Sequence, residues 1–268
     1  MSCRHSSAVV LGASISGLLA ARALSGHFER ITVVERDVLP DGEEVRKGVP
    51  QSAHAHGLLA SGYRVMDEYF PGMMDELEAI GAPRGDVTGD FLWFQYGPWK
   101  LRHHSGLLGI AVSRPCLEAA IRRRVKAIRK VTFLEGADGI CPTFDAATGR
   151  VTGLVVRLRD RNIQQTLDAD LVIDASGRRS QSLKWLEQWG FGRPEEISVK
   201  VHVGYAIRTF ERRPNFWYAT SKHSVRGGSG RRGQSVGGHA GGQCPRLPPD
   251  ERGRVGCVCR KPAGVCGP

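Results

Sequence analysis

Residues 8–35, AVVLGASISGLLAARALSGHFERITVVE, constrain this chain more than any other stretch. The short apolar run 8–11 has the character of a strand buried on both faces. Gly12 and Gly17 bound a turn, after which Ile15, Leu18, Leu19 and Ala23 recur at helical spacing. Gly26 is placed to cap that helix at its C-terminus. The β-branched run 31–34 follows and ends in Glu35. The pattern predicts strand, tight turn, helix and strand, which together make a βαβ unit.

A unit of this kind suits a dinucleotide for physical reasons. Gly12 permits a turn in which a side chain would collide, and Gly17 lets the helix lie close to the sheet. The helix N-terminus then offers unpaired N–H groups and partial positive charge to a pyrophosphate. A carboxylate at the end of the second strand, here Glu35, can accept hydrogen bonds from ribose hydroxyls. The second glycine of the G-x-G-x-x-G pattern is replaced by Ser14, whose hydroxyl could donate to a phosphate. An ordinary buried strand–helix–strand shares this outline, and the acidic residue at the right distance argues against it.

Composition limits the alternatives. The net charge is +11, but residues 221–268 carry +7 of it, so the first 220 residues have an ordinary surface and no nucleic-acid footprint. No run of eighteen or more apolar residues suggests a membrane span, and no secretory signal is visible. The expectation is a cytoplasmic protein with reduced thiols.

Beyond Glu35, residues 45–57 form a basic loop broken by Gly48 and Pro50 and holding His54 and His56. Two histidines without a third ligand do not make a metal site. The preferred reading puts Arg46 and Lys47 over cofactor phosphates; a plain loop entering a helix is the alternative. Residues 58–80 are expected as two helices broken at Pro71-Gly72, and 81–89 as a loop. Residues 91–101, FLWFQYGPWKL, suggest a hairpin turning at Gly97-Pro98, whose aromatic side chains wall a core or an apolar ligand. Ser113 is a sound N-cap for a helix over 116–130. Arg114 is a cation near that helix N-terminus, sensible if an anion shares the site and otherwise a solvated arginine. The run 122–124 is expected as a solvated basic face. Strands are expected at 131–134 and 151–158, with a polar turn at 159–162. A buried strand then ends in Asp174, Ala175, Ser176 and Gly177, where an open α/β sheet places its ligand. A helix is expected at 182–190, and a half-buried strand at 198–206 with Val199, Val201, Val203 and Tyr205 on one face.

VVLGASISGLLAARAL…VVERD, RKGVPQSAHAHGLL, SRPCLEAAIRRRV and ADLVIDASGRRSQSLKWLEQWGFGRPEE, in this order and spacing, resemble the flavin-dependent aromatic hydroxylase superfamily of the p-hydroxybenzoate hydroxylase type. The resemblance covers roughly 7–220. It implies an α/β fold: a doubly wound, Rossmann-like FAD-binding domain with a β-rich substrate domain whose strands are interleaved at about 82–112 and 198–220. It implies FAD held at its pyrophosphate by Gly12, Ser14 and Gly17 and at its adenosine ribose by Glu35. Arg36, Arg46, Lys47, Arg114, Asp174, Ser176 and Gly177 complete the implied cofactor-binding set. Ser176-Gly177 stands where the family has Asp-Gly. Enzymes of this type use NADPH or NADH to reduce FAD and insert one oxygen atom into a small organic substrate. The chemistry belongs to the flavin, so no side chain is named as catalytic. A substrate wall from Phe91, Trp93, Trp99 and Tyr205 completes the expectation. A prenyl-reductase-type flavoenzyme and a non-catalytic remnant or basic-tailed binding protein are the alternatives.

Residues 221–268 depart from this pattern. They contain no aromatic residue and one leucine, and Gly plus Pro make up 17 of 48 positions, too little apolar surface to offset chain entropy. Disorder is expected there. The family's third fingerprint, Gly-Asp before a helix, has no counterpart after Thr220. The segment has the composition of a GC-rich gene read out of frame, which implies a truncated hydroxylase.

Overall fold

The computed structural model describes residues 6–46, 55–94, 100–199, 204–211, 223–226 and 254–261. In chain order the elements are β1 (Ser7–Leu11), α1 (Ile15–Leu24), β2 (Arg30–Glu35), β3 (Ala55–Leu58), α2 (Ala60–Tyr69), α3 (Met73–Ala79), β4 (Arg84–Asp86), β5 (Phe91–Phe94), β6 (Leu108–Ser113) and α4 (Arg114–Lys126). There follow β7 (Val131–Glu135), β8 (Ala137–Asp145), β9 (Arg150–Leu158), β10 (Ile163–Asp168), β11 (Leu171–Asp174), α5 (Ser182–Gln188), β12 (Gly204–Glu211), β13 (His223–Arg226) and β14 (Arg254–Lys261). They fall into two units, Met1–Glu44 with Glu118–Ser198, and Val45–Leu117 with Val199–Pro268.

The first unit is built on a parallel sheet of order β11-β1-β2-β7. The chain runs from β1 to β2 and β7 on one side, and β11 joins on the other. The C-terminal ends of β1 and β11 are therefore a topological switch point, where such sheets bind their ligands. Leu11 pairs with Asp174 there, so the loops after both strands emerge side by side. β1 is apolar from Ala8 onward because both its faces are covered, and the buried Ser7 hydroxyl donates to the Asp168 carbonyl. Helix α1 packs on β1, β2 and β11. On the other face, Val9 and Val34 join Ala137, Leu154, Val156 and Ala169 in a core with the antiparallel meander β8-β9-β10.

The second unit contains an antiparallel sheet of order β3-β6-β4, with α2 and α3 against β6. β5 pairs with β13, and β12 with β14.

Several expectations are corrected. Gly26 lacks the left-handed conformation of a capping glycine; Ser25 closes α1 through its hydroxyl, which donates to the Arg22 carbonyl. Leu58 belongs to β3, paired with β6, and α2 begins at Ala60. The loop at 81–89 contains β4, whose backbone is completed by β6. Val199, expected on the half-buried face of a strand, is 82% exposed; Val201 and Val203 lie outside the described residues, and β12 is described over Gly204–Glu211. Within 221–268 only 223–226 and 254–261 are described, as β13 and β14; the rest of that segment lies outside the described residues. The Gly97-Pro98 turn, Lys47, His54 and Trp99 lie outside the described residues. Among the described residues no helix is long and apolar enough to cross a membrane, and no group of His, Cys, Asp or Glu could hold a metal ion.

Candidate functional site

Gly12 has φ +102°, which L side chains rarely adopt, and a β-carbon there would lie 2.7 Å from the Ala175 carbonyl oxygen. The loop after β1 thus touches the loop after β11 through backbone alone. The Ala175 N–H to Leu11 O bond (2.8 Å) joins the two loops, and the Gly12 N–H to Val34 O bond (2.8 Å) ties the turn to β2. Gly17 faces the same turn, and a β-carbon on it would be 1.8 Å from the Gly12 carbonyl oxygen. Helix α1 therefore starts directly behind the turn. Its first turn holds no acidic residue and its N-cap, Ser14, forms no side-chain capping bond. The result is an N–H-rich helix end of the kind that attracts phosphate.

Glu35 ends β2 beside this loop and is 5% exposed. Its Oε2 accepts the Ala13 N–H (2.8 Å) and its Oε1 the Asp37 N–H (3.1 Å). The carboxylate thus ties the glycine loop to the chain after β2.

The Ser14 hydroxyl donates to Glu118 Oε2 (3.1 Å). Glu118 pairs with Arg122 at 3.8 Å, and Arg122 Nη2 donates to the Gly42 carbonyl (2.8 Å). Glu118 and Arg122 are 4% and 3% exposed. This overturns the solvated reading of the 122–124 run at its first position. Sequence reasoning missed both residues. The signal was an acid and a base four apart on a helix, next to the apolar Leu117 and Ile121. The helix itself begins at Arg114, two residues earlier than expected. Ser113 caps it as foreseen, accepting the Cys116 N–H (3.3 Å).

Asp174 shapes the loop after β11. Its Oδ1 accepts from the Ser176 N–H and hydroxyl, and its Oδ2 from the Ser180 and Ser182 hydroxyls (2.7 Å each). Gly177, at φ +69°, begins the turn that brings these serines back. Burial works against the charged form of Asp174, but the hydrogen bonds from Ser176, Ser182 and Ser180 outweigh it and hold the carboxyl below its ordinary range.

Gly12, Ser14, Gly17, Glu35, Asp174, Ser176 and Gly177 are thus gathered at one end of the first unit's sheet. Arg36, directly after β2, is half-buried and pairs with Asp37 at 3.7 Å. Arg46 is buried and Arg114 opens α4; both belong to the second unit. Of the expected substrate wall, Phe91 is buried, and the Trp93 indole donates to the Val87 carbonyl (2.7 Å).

Asp86 of the second unit is a comparable carboxylate. It accepts from the Thr88, Gly89, Ser105 and Gly106 N–H groups, joining two loops. Burial again opposes its charge, and hydrogen bonds from Gly89, Thr88 and Ser105 overcome this and push its carboxyl well below the usual range. Both folded-state values are depressed. The stability they confer is complete above the unfolded-chain value, ~3.9, and is lost as pH falls through the lower folded values. Melting temperature followed from about pH 6 to about pH 3 is expected to drop with acid, and Asp86→Asn to flatten that drop. Equal slopes for the two proteins would contradict this account.

No family model matches the sequence. Protein Rv3254 of Mycobacterium tuberculosis (strain ATCC 25618 / H37Rv) is 36% identical over 211 residues, which are 76% of this chain and 44% of that protein. The structure is similar to that of PqsL, a probable FAD-dependent monooxygenase from Pseudomonas aeruginosa, with a TM-score of 0.63 and 16% identity, covering 96% of this chain and 61% of that one. It is also similar to the tetrameric form of 2-methyl-3-hydroxypyridine-5-carboxylic acid oxygenase, with a TM-score of 0.63 and 17% identity, covering 97% of this chain and 60% of that one. The chain spans 44% of the length of the curated relative it matches. The fold of this chain is thus similar to that of these two solved proteins, one of them a probable FAD-dependent monooxygenase.

Proposed function

We propose that this chain binds FAD and serves a monooxygenase-type oxidoreductase reaction. NADPH or NADH is the reductant, and one oxygen atom enters a small aromatic or polyketide-like substrate. The observation that carries the reading is the joint geometry of Gly12, the acid-free N-terminus of α1 and Glu35 at one sheet edge. A pyrophosphate needs a close backbone approach and unpaired N–H groups, and an adenosine ribose needs a carboxylate one strand away. The residues present fit both.

In this reading Gly12 and Gly17 give the pyrophosphate its room, and Glu35 receives the ribose hydroxyls. Asp174 holds Ser176 and Gly177 in place beside the turn. Arg36 stands at the ribose end, and Arg46, Lys47 and Arg114 are proposed as further cofactor contacts. Residues 82–112 and 198–220 make up the substrate-facing part, and the NAD(P)H requirement suits a cytoplasmic setting. FAD, when bound, supplies the redox chemistry; the protein's part is to bind, orient and exclude water.

The test is a titration of the purified protein with FAD. Bound flavin is expected to give bands near roughly 370 and 450 nm, bleached by NADPH or NADH. A protein that leaves FAD entirely free would overturn the proposal. Flavin that binds and is reduced, but passes no oxygen to any aromatic candidate, would favour a reductase of the prenyl-reductase type.

A further inference from the structure

Ser14 occupies the N-cap of α1 with φ −86° and ψ −177°. From this conformation a serine hydroxyl ordinarily accepts the N–H of the second or third helical residue. No such bond forms, and the hydroxyl is engaged by Glu118 Oε2 instead. Glu118 is buried and pairs at 3.8 Å with Arg122, itself anchored on the Gly42 carbonyl. A lone carboxylate near a phosphate-binding turn would repel the phosphate; Arg122 supplies the compensating charge.

We propose that Glu118, held by Arg122, is a positioning residue that keeps Ser14 from capping its own helix, leaving the first N–H groups of α1 open to the cofactor pyrophosphate. The proposal rests on the FAD reading for its ligand, while the capping itself can be measured without any ligand. It gives Ser14 a role beyond filling the position of the second glycine. Because the hydroxyl donates to Glu118, its lone pairs stay available; the device works by orientation, Glu118 holding the Ser14 Oγ where it forms no capping bond.

Replacing both partners by Glu118→Met with Arg122→Met removes the two buried charges together and leaves neither unpaired. The dissociation constant of FAD, read by fluorescence titration, is expected to rise about five- to ten-fold. That is the strength of one N-cap bond, which binding must then break. In a Ser14→Ala background the same pair of changes is expected to alter it by less than about twofold, because no hydroxyl remains to cap. An equal loss in both backgrounds would mark the pair as merely structural and overturn the proposal, as would no loss in either.

Amide hydrogen exchange of the apoprotein supplies an independent reading. The Ser16 N–H, in the first turn and exposed, is expected to exchange freely in the wild type and to slow about fivefold in the double Met protein. Strong protection of Ser16 in the wild-type apoprotein would refute the capping argument, even if the double Met protein cannot be prepared. A wild type that ignores FAD but shows these exchange rates would sink the FAD reading and leave the Glu118 device standing.

Discussion

Gly17→Ala is expected to destabilise the protein by ~3 kcal/mol, to lower its melting temperature by roughly 10 °C and to abolish FAD binding. A β-carbon on Gly17 would sit 1.8 Å from the Gly12 carbonyl oxygen, 2.9 Å from its carbon and 3.4 Å from Val10 Cγ1. The first two atoms are backbone, so no rotamer change relieves the overlap. Helix α1 must lift from the turn, and with it Leu18 and Ala21, both fully buried. Backbone conformation is not the cause, because Gly17 has no positive φ. Alanine in an unobstructed helix position would instead stabilise by up to ~1 kcal/mol. Gly26→Ala is the control. A β-carbon on Gly26 would meet nothing within 4 Å and its φ is ordinary, so the change is expected to stay within about 0.5 kcal/mol. Calorimetry of the two variants decides the matter. A Gly17→Ala protein that melts with the wild type would mean that helix and turn are not in contact.

The glycine turn was legible because its constraints are local. Two glycines, a helical apolar period and an acid at the end of the next strand leave little room for another structure. Ser113 was legible for the same reason: a cap is read within three residues. What was not legible depended on distant partners. Arg122 stands first in a run of three arginines, and only the fold decides which of them turns inward to meet Glu118 and the Gly42 carbonyl. β10, IQQTLD, has almost no apolar pattern and is largely exposed; its strand form comes from the register Ile163–Leu158 to Asp168–Gly153 with β9. β8 carries Gly139 and Pro142, poor strand formers, and is shaped by bulges against the same strand. At 198–206 the alternation put Val199 on a buried face, but alternation cannot say which residues pair, and Val199 is exposed.

Glu35→Ala is expected to lower both the stability of the apoprotein and its affinity for FAD, for separable reasons. The carboxylate accepts the Ala13 N–H on one oxygen and the Asp37 N–H on the other. Hydrogen bonds to a charged group contribute ~1.5–3 kcal/mol each, and the Ala13 bond is buried, so its donor has no water to turn to. A loss of ~2–4 kcal/mol is expected once the loop relaxes. FAD affinity is expected to fall at least about tenfold, since the ribose loses its acceptor and the turn loses its anchor. Glu35→Gln distinguishes the two losses. Its single carbonyl oxygen can serve the Ala13 N–H, while its amide nitrogen is a donor facing the Asp37 donor. Much of the stability should return, because the buried bond is restored. The affinity should return far less, because the charge and half of the acceptor capacity are gone. Apoprotein melting and FAD titration of the three proteins measure this directly. If stability and affinity recover in step, Glu35 acts on the cofactor only through the loop it holds; recovery of stability alone places its carboxylate on the ribose.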